Sequence, residues 1–264
     1  MIENNSFVYF DNKESGLLFD DSGSTKYPIR YYNVIDGGGF KCSANCSYYG
    51  FVYSGNQFIL FANGRIPMML ESGMYFSTSQ KFIICGTGKM ILIEVVHSAG
   101  IYPETSYRAA NVTGGPVEKE GRLKYIDGCT DSLIIPPIKL GNPCFNHLHF
   151  PVDIDQTSHT HPSHRIGIIY NGNGLCKTPF GNLELREGMI FIIKEWNGED
   201  FKEGEDGKNY PIGTHSFQTF DESMDVIAFH PDSDFGPTDI NHPMINRTIV
   251  DGISASKLDN IRTK

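Results

Sequence analysis

Apolar residues along this chain gather in short runs rather than at helical spacing. Phe58-Ile59-Leu60-Phe61, Met90-Ile91-Leu92-Ile93-Glu94-Val95-Val96, Arg165-Ile166-Gly167-Ile168-Ile169-Tyr170 and Met189-Ile190-Phe191-Ile192-Ile193 are rich in β-branched and aromatic side chains. Gly, Asn, Asp or Pro flanks each of them, which is the punctuation of strands. Only the stretch around Ser254 to Ile261 reads as a helix. Short strands at close spacing predict an all-β sandwich or barrel.

Self-comparison adds a second layer. Tyr53-Ser54-Gly55-Asn56 matches Tyr170-Asn171-Gly172-Asn173 at an offset of 117 (170 − 53). Leu70-Glu71-Ser72-Gly73-Met74-Tyr75-Phe76 matches Leu185-Arg186-Glu187-Gly188-Met189-Ile190-Phe191 at 115 (185 − 70). Ile93-Glu94-Val95-Val96-His97 matches Val226-Ile227-Ala228-Phe229-His230 at 133 (226 − 93). The order is kept, so the chain reads as two copies of one β unit. The second copy carries an insertion of about 18 residues (133 − 115) between Phe191 and His215, rich in Gly and charge. The expected boundary lies near residue 120, giving units 1–120 and 121–264. The Gly172-Asn173-Gly174 turn reads as a hairpin, since no helical pattern follows it to make a phosphate loop.

Composition narrows the function classes. The 264 residues carry 22 Lys and Arg against 31 Asp and Glu, a net charge of −9. No basic stripe offsets that balance, so nucleic-acid binding is not expected. No apolar run approaches the roughly 18–20 residues of a membrane helix. The Met1-Ile2-Glu3-Asn4-Asn5 start carries no secretory pattern, so a cytoplasmic location is expected. Cys42, Cys46, Cys85, Cys129, Cys144 and Cys176 have no zinc-finger spacing and are expected as free thiols.

Six of nine histidines fall between 147 and 215. His159-Thr160-His161 is the sharpest group, because residues i and i+2 of an extended segment face the same way. Two imidazoles on one face can hold one metal ion. His215, delivered by the Pro211-Ile212-Gly213-Thr214 turn, is the candidate third ligand.

Taken together, His159-Thr160-His161, the strand to Gly172-Asn173-Gly174, Leu185-Arg186-Glu187-Gly188-Met189 and Pro211-Ile212-Gly213-Thr214-His215 resemble the two signature motifs of the cupin superfamily. The motifs cover roughly residues 155–230, and the repeat extends the likeness to 40–97, so the whole chain resembles a bicupin. The resemblance implies two tandem jelly-roll barrels, followed by a short C-terminal helix or arm. It also implies a homodimer through strand exchange.

One departure matters. Many cupins place a Glu four or five residues after the second His as a further ligand, and here Arg165 and Ile166 occupy those positions. Either the site is three-histidine or His164 substitutes. The three-histidine reading is favoured, because an inward Arg165 turns His164 outward. Arg165 then stands beside the open coordination positions, able to clamp a carboxylate or phosphate, or else it is a salt-bridged rim residue. The first copy is an internal control: His159 maps to Cys42, His161 to Ala44 and His215 to Phe82, so that copy lacks the triad. His147-Leu148-His149 is read as a second shell or an outer face, and His164 and His230 as structural or exposed. Asn146, Gln156 and Tyr170 are candidate pocket-lining groups, with Tyr170 set beside Arg165 in the catalytic group. The Pro-, Asp- and Gly-rich segment from His230 to Thr248 reads as a loop and arm.

Three neutral imidazoles on a divalent ion leave positions open for catalysis. Fe(II) is favoured, with Zn, Mn or Ni as alternatives. Some cupin dioxygenases resemble this site in using three histidines. The leading expectation is a nonhaem Fe(II) dioxygenase acting on a small, anionic small-molecule substrate. The inserted loop, 194–211, is expected as a lid, with Trp196 as an apolar contact. A Zn- or Mn-dependent sugar-acid isomerase or hydrolase, with His147, His149 or Tyr170 as base, is the alternative, and a non-catalytic ligand-binding bicupin is the third.

Overall fold

The computed structural model describes residues 1–24, 26–61, 67–97, 108–139, 141–233 and 249–258. All regular structure of any length in them is β, and every strand pairing is antiparallel. A seven-stranded sheet runs in the order Gly16–Asp21, Ile29–Ile35, Phe82–Val96, Cys46–Phe61, Tyr75–Thr78, Val112–Gly114, with Met68–Glu71 paired to Cys46–Phe61. A ten-stranded sheet has Phe7–Phe10, Ile190–Ile193, Arg165–Lys177, Met224–His230, Cys144–Phe150 and Thr130–Ile135 in sequence across it. Leu183–Arg186 and Ser216–Gln218 both pair with the far end of Arg165–Lys177.

The two sheets repeat one strand order, and the repeat extends to irregularities. Pairing slips by one residue at Tyr53 in the first sheet and at Tyr170 in the second. Gly73 N–H donates to Val52 O at 2.8 Å, and Gly188 N–H donates to Ile169 O at 2.8 Å. Both glycines sit in the left-handed region, at φ +85° and +79°, where a side chain would be strained. The offsets of 117 and 115 are therefore structural.

The third sequence match is out of register. Val52 pairs with Met90 and Ile169 pairs with Val226, so Met90 corresponds to Val226 and the offset there is 136 (226 − 90). Phe217 pairs with Cys176, as Ile84 pairs with Ile59, which keeps 133 (217 − 84) at the earlier strand. Three extra residues lie between these two points. His230 thus corresponds to Glu94 rather than His97.

Pairing also crosses the expected boundary in one place. Phe7–Phe10 lies against Ile190–Ile193, so the start of the chain completes the sheet of the second half. Val112–Gly114 fills the equivalent edge of the first sheet against Tyr75–Thr78. The changeover between sheets falls between 114 and the strand Leu123–Lys124. At the C-terminal end the expected helix is, where described, a single 3₁₀ turn at Ala255–Lys257. Residues 234–248 of the expected arm and residues 259–264 lie outside the described residues.

Strand alternation divides the apolar side chains into three cores. One fills the first unit around Tyr48, Phe76, Phe82 and Leu92. A second fills the other unit around Phe150, Ile169, Phe191, Phe217 and Val226. The third joins the two sheets by their outer faces, with Tyr31, Tyr49 and Phe51 meeting Phe145, Ile166, Ile168 and Phe229. Tyr49 and Phe229 rings lie 5.1 Å apart, and Tyr31 Oη donates to Gly167 O at 3.0 Å. Because Phe51 is fully buried in this joint, Phe51→Ala should lower stability by about 3–5 kcal/mol, read as a shift in the urea unfolding midpoint.

Candidate metal centre

Antiparallel pairing builds the site. His159 N–H donates to His215 O at 2.9 Å and His215 N–H to His159 O at 3.0 Å, so these two residues lie directly opposite one another. His161, two residues on, shares the face of His159. Ring centroids of the three lie 4.6–5.2 Å apart. One ligand atom from each of His159, His161 and His215 falls within 4.8 Å of the others.

The backbone also prepares two of the rings. His159 Nδ1 lies 2.7 Å from Thr157 O, and His215 Nδ1 lies 2.9 Å from Gly213 O. A carbonyl oxygen only accepts, so each Nδ1 carries the hydrogen and each Nε2 keeps a free lone pair. That is how a carbonyl partner fixes the tautomer of a metal-ligating histidine. Burial, reinforced by the charge of His159, pushes His215 down to about 3. Burial, Arg165 and the neighbouring imidazoles push His161 far below the ordinary histidine range. These rings are neutral near pH 7, the state a metal requires. The donor set therefore fits a divalent borderline metal ion.

A cavity of about 30 Å³ adjoins the triad. Its walls are mostly apolar, with Leu148, Phe150, Phe191, Ile193 and Phe217 among them. Arg165 reaches this cavity from the strand Arg165–Lys177. Its Nη1 lies 3.3 Å from Asp232 Oδ1 and also donates to Ser163 Oγ, so it is a salt-bridged residue that lines the cavity as well. Gln156 lines the cavity and accepts the Phe217 N–H at 3.3 Å.

Other candidates lie elsewhere. Tyr170 is not in the cavity: its ring packs edge-on to Phe51 at 5.0 Å in the joint between the sheets. The reason is parity, since Arg165 and Tyr170 are five residues apart on one strand and face opposite ways. Tyr170 is thus removed from the catalytic group. His147 and His149 face the same outer side, and both donate to Asp225 Oδ1, at 3.0 and 2.8 Å. Asn146 donates to Asp131 at 2.8 Å. His164 turns away from the triad, accepting Glu195 N–H on Nδ1 at 3.2 Å.

The inserted loop folds into a hairpin, Phe201–Glu203 with Asn209–Pro211. It borders an open polar groove through Glu205, Asp206 and Tyr210 and contributes no wall to the cavity. Its tie to the site is the Trp196 N–H, which donates to His161 O at 2.9 Å.

Two groups escape the sequence pattern. His230 and Tyr125 both line the cavity. Placing His230 requires the three-residue slip, and nothing near Tyr125 repeats. In the first unit Cys42 Sγ and Phe82 backbone lie together, at 3.2 and 3.4 Å, where the second unit has His159 and His215. Phe40, Tyr48 and Phe76 pack around Phe82 there.

No family model matches the sequence. No curated protein matches it either. Solved structures do match. A cupin 2 conserved barrel domain protein from Leptotrichia buccalis superposes with a TM-score of 0.52 at 10% identity, covering 88% of this chain and 92% of that one. Protein Ylba from E. coli gives 0.58 at 13%, covering 88% and 94%. The chain has the cupin fold. A mutant of salicylate 1,2-dioxygenase from Pseudoaminobacter salicylatoxidans, in complex with gentisate, gives 0.52 at 10%, covering 79% of this chain and 69% of that one. Among the described residues of this cupin-fold chain, no helix is long and apolar enough to cross a membrane.

Two outcomes are expected. His159→Ala and His215→Ala should each abolish stoichiometric metal binding while circular dichroism stays β-type, and Cys42→Ser should leave metal content unchanged, as read by elemental analysis. The metal-free protein should lose stability as pH falls below about 6.5. The unfolded chain takes up protons there that folded His161, His215 and His230 refuse until far lower pH. Urea midpoints measured between pH 7.5 and 4.5 check this, and a flat profile would contradict it.

Proposed function

We propose that this chain is a metal-dependent enzyme of the nonhaem Fe(II) dioxygenase type, acting on a small anionic organic molecule. The observation carrying this reading is the three-imidazole cluster with no carboxylate in the group, two rings of which have Nε2 freed by carbonyl-held Nδ1–H. A cupin-fold neighbour whose name is that of a dioxygenase adds support at the level of fold.

His159, His161 and His215 hold the ion. When bound, Fe(II) supplies open coordination positions and redox chemistry. The protein's part is orientation and exclusion of water. Thr157 O and Gly213 O fix the tautomers of two ligands, and Trp196 N–H anchors the backbone of the third. Phe150, Phe191 and Phe217 keep the cavity apolar, which strengthens every charge interaction inside it. Arg165 orients the anionic end of the substrate, while Asp232 and Ser163 fix one edge of its guanidinium. The second unit bears the site, and the first, filled by aromatic rings, serves as its scaffold.

Protein purified without chelators should carry about one iron per chain and consume oxygen only when substrate is added. Zinc or manganese with turnover but no oxygen uptake would replace this reading with isomerase or hydrolase chemistry. Absence of bound metal would leave a ligand-binding protein.

A further inference from the structure

Four polar groups line the cavity beside the triad, and Gln156 is spent on the Phe217 N–H. The other three, Tyr125, Arg165 and His230, are not used to hold the ion. Ile166 pairs with Phe229 across neighbouring strands. The next position on each strand sets Arg165 beside His230 at the same level of the wall. Arg165 Nε is buried and makes no hydrogen bond. Asp232 engages Nη1 and leaves that edge free. Among the described residues no hydrogen bond reaches the Tyr125 hydroxyl or the His230 ring. Arg165 Nε is thus a buried donor without an acceptor, which is costly unless a ligand supplies one, and Tyr125 and His230 add two further donors on the same cavity; together the three form a cradle for an anion. Burial pushes the Tyr125 hydroxyl up, which keeps its proton available for donation. Burial, and after it the charge of Arg165, keeps the His230 ring neutral, so the guanidinium is the one full charge facing an incoming anion from this group.

The size of the space limits that anion. About 30 Å³ is the space open to atom centres, which suits a carboxylate carrying only a few further atoms. A carboxylate with a short aliphatic tail fits this scale. A planar benzoate ring is the poorer match, because Phe150, Phe191 and Phe217 crowd the walls. These three rings belong to the tightly packed second core, where Phe150 meets Phe217 at 5.4 Å and Phe191 meets Phe217 at 6.2 Å.

We propose that Tyr125, Arg165 and His230 form the substrate-anion cradle of this centre, and that its ligand is a short-chain aliphatic carboxylate rather than an aromatic acid. This rests on the metal-enzyme reading for its catalytic meaning, but the cradle itself consists of protein donors. The equivalent inner positions of the first unit are Tyr48 and Glu94, where a buried carboxylate meets Arg30 and no cradle for an anion remains.

The test is calorimetric titration of the metal-loaded protein, and separately of the chelator-stripped protein, with propionate, propionamide and benzoate. Propionate should bind, with propionamide and benzoate at least 10-fold weaker. Tyr125→Phe and His230→Leu should each weaken propionate at least 5-fold while metal content stays at the wild-type level. Tyr125→Phe keeps the ring and so guards against a failure of His230→Leu to fold. Equal binding of benzoate, or unchanged propionate affinity in both variants, overturns the proposal. Propionate binding that persists in protein unable to hold metal would keep the cradle and sink the metal-enzyme reading instead.

Discussion

Two backbone hydrogen bonds, exchanged between His159 and His215, are the constraint on which the site depends. They set opposite one another two residues that are 56 positions apart in sequence (215 − 159), so a metal pair is made by main-chain geometry before any side chain is chosen. His161 then needs only the two-residue period of an extended segment to join them. The Thr157 and Gly213 carbonyls, each two residues before a ligand, set the ring tautomers from the same backbone. The imidazole cluster is thus placed by main-chain pairing, and two of its Nε2 lone pairs are freed by backbone carbonyls without help from a carboxylate.

The repeated strand order lets one unit carry the imidazole cluster and the other lack it on the same fold. In the first unit the place of His159 and His215 is taken by Cys42 and Phe82, still in contact. Aromatic packing around Phe82 fills that place, burying apolar area where a lumen would need polar groups to be satisfied. The joint between the sheets is a separate matter. Tyr31, Tyr49, Phe51, Phe145 and Phe229 make it as deeply buried as either interior. The chain's first strand, Phe7–Phe10, closes the edge of the second sheet, so the second unit is complete only with residues from before the first. Edge strands left open invite pairing with other chains, and both large sheets here have the corresponding edge filled.

Polar groups buried on the two sides of the second sheet have different characters. On its outer side, His147, His149 and Asn171 all donate to Asp225, so both carboxylate oxygens are engaged, while His147 Nδ1 has no partner among the described residues. On the inner side Arg165 is half-committed to Asp232, and no hydrogen bond from the described residues engages the His230 ring or the Tyr125 hydroxyl.

The residues themselves disclose the strands, the duplication, the insertion between Phe191 and His215, and the three histidines that come together. Those features follow from local rules: β-branched runs, turn glycines at Gly73 and Gly188, and the i, i+2 period. Local rules do not disclose which face of a central strand looks inward. In Arg165–Lys177, Ile166, Ile168 and Ile169 are all fully buried because cores lie on both sides, so hydrophobicity carries no sign of the lumen. Tyr170 falls on the wrong side in the sequence pattern for that reason. His230 escapes the pattern because matching by letter gives an offset of 133, while three residues inserted before Met224 shift the true correspondence by an odd number and exchange the faces. Only the paired sheets, which fix register across strands distant in sequence, decide which side chains line the cavity.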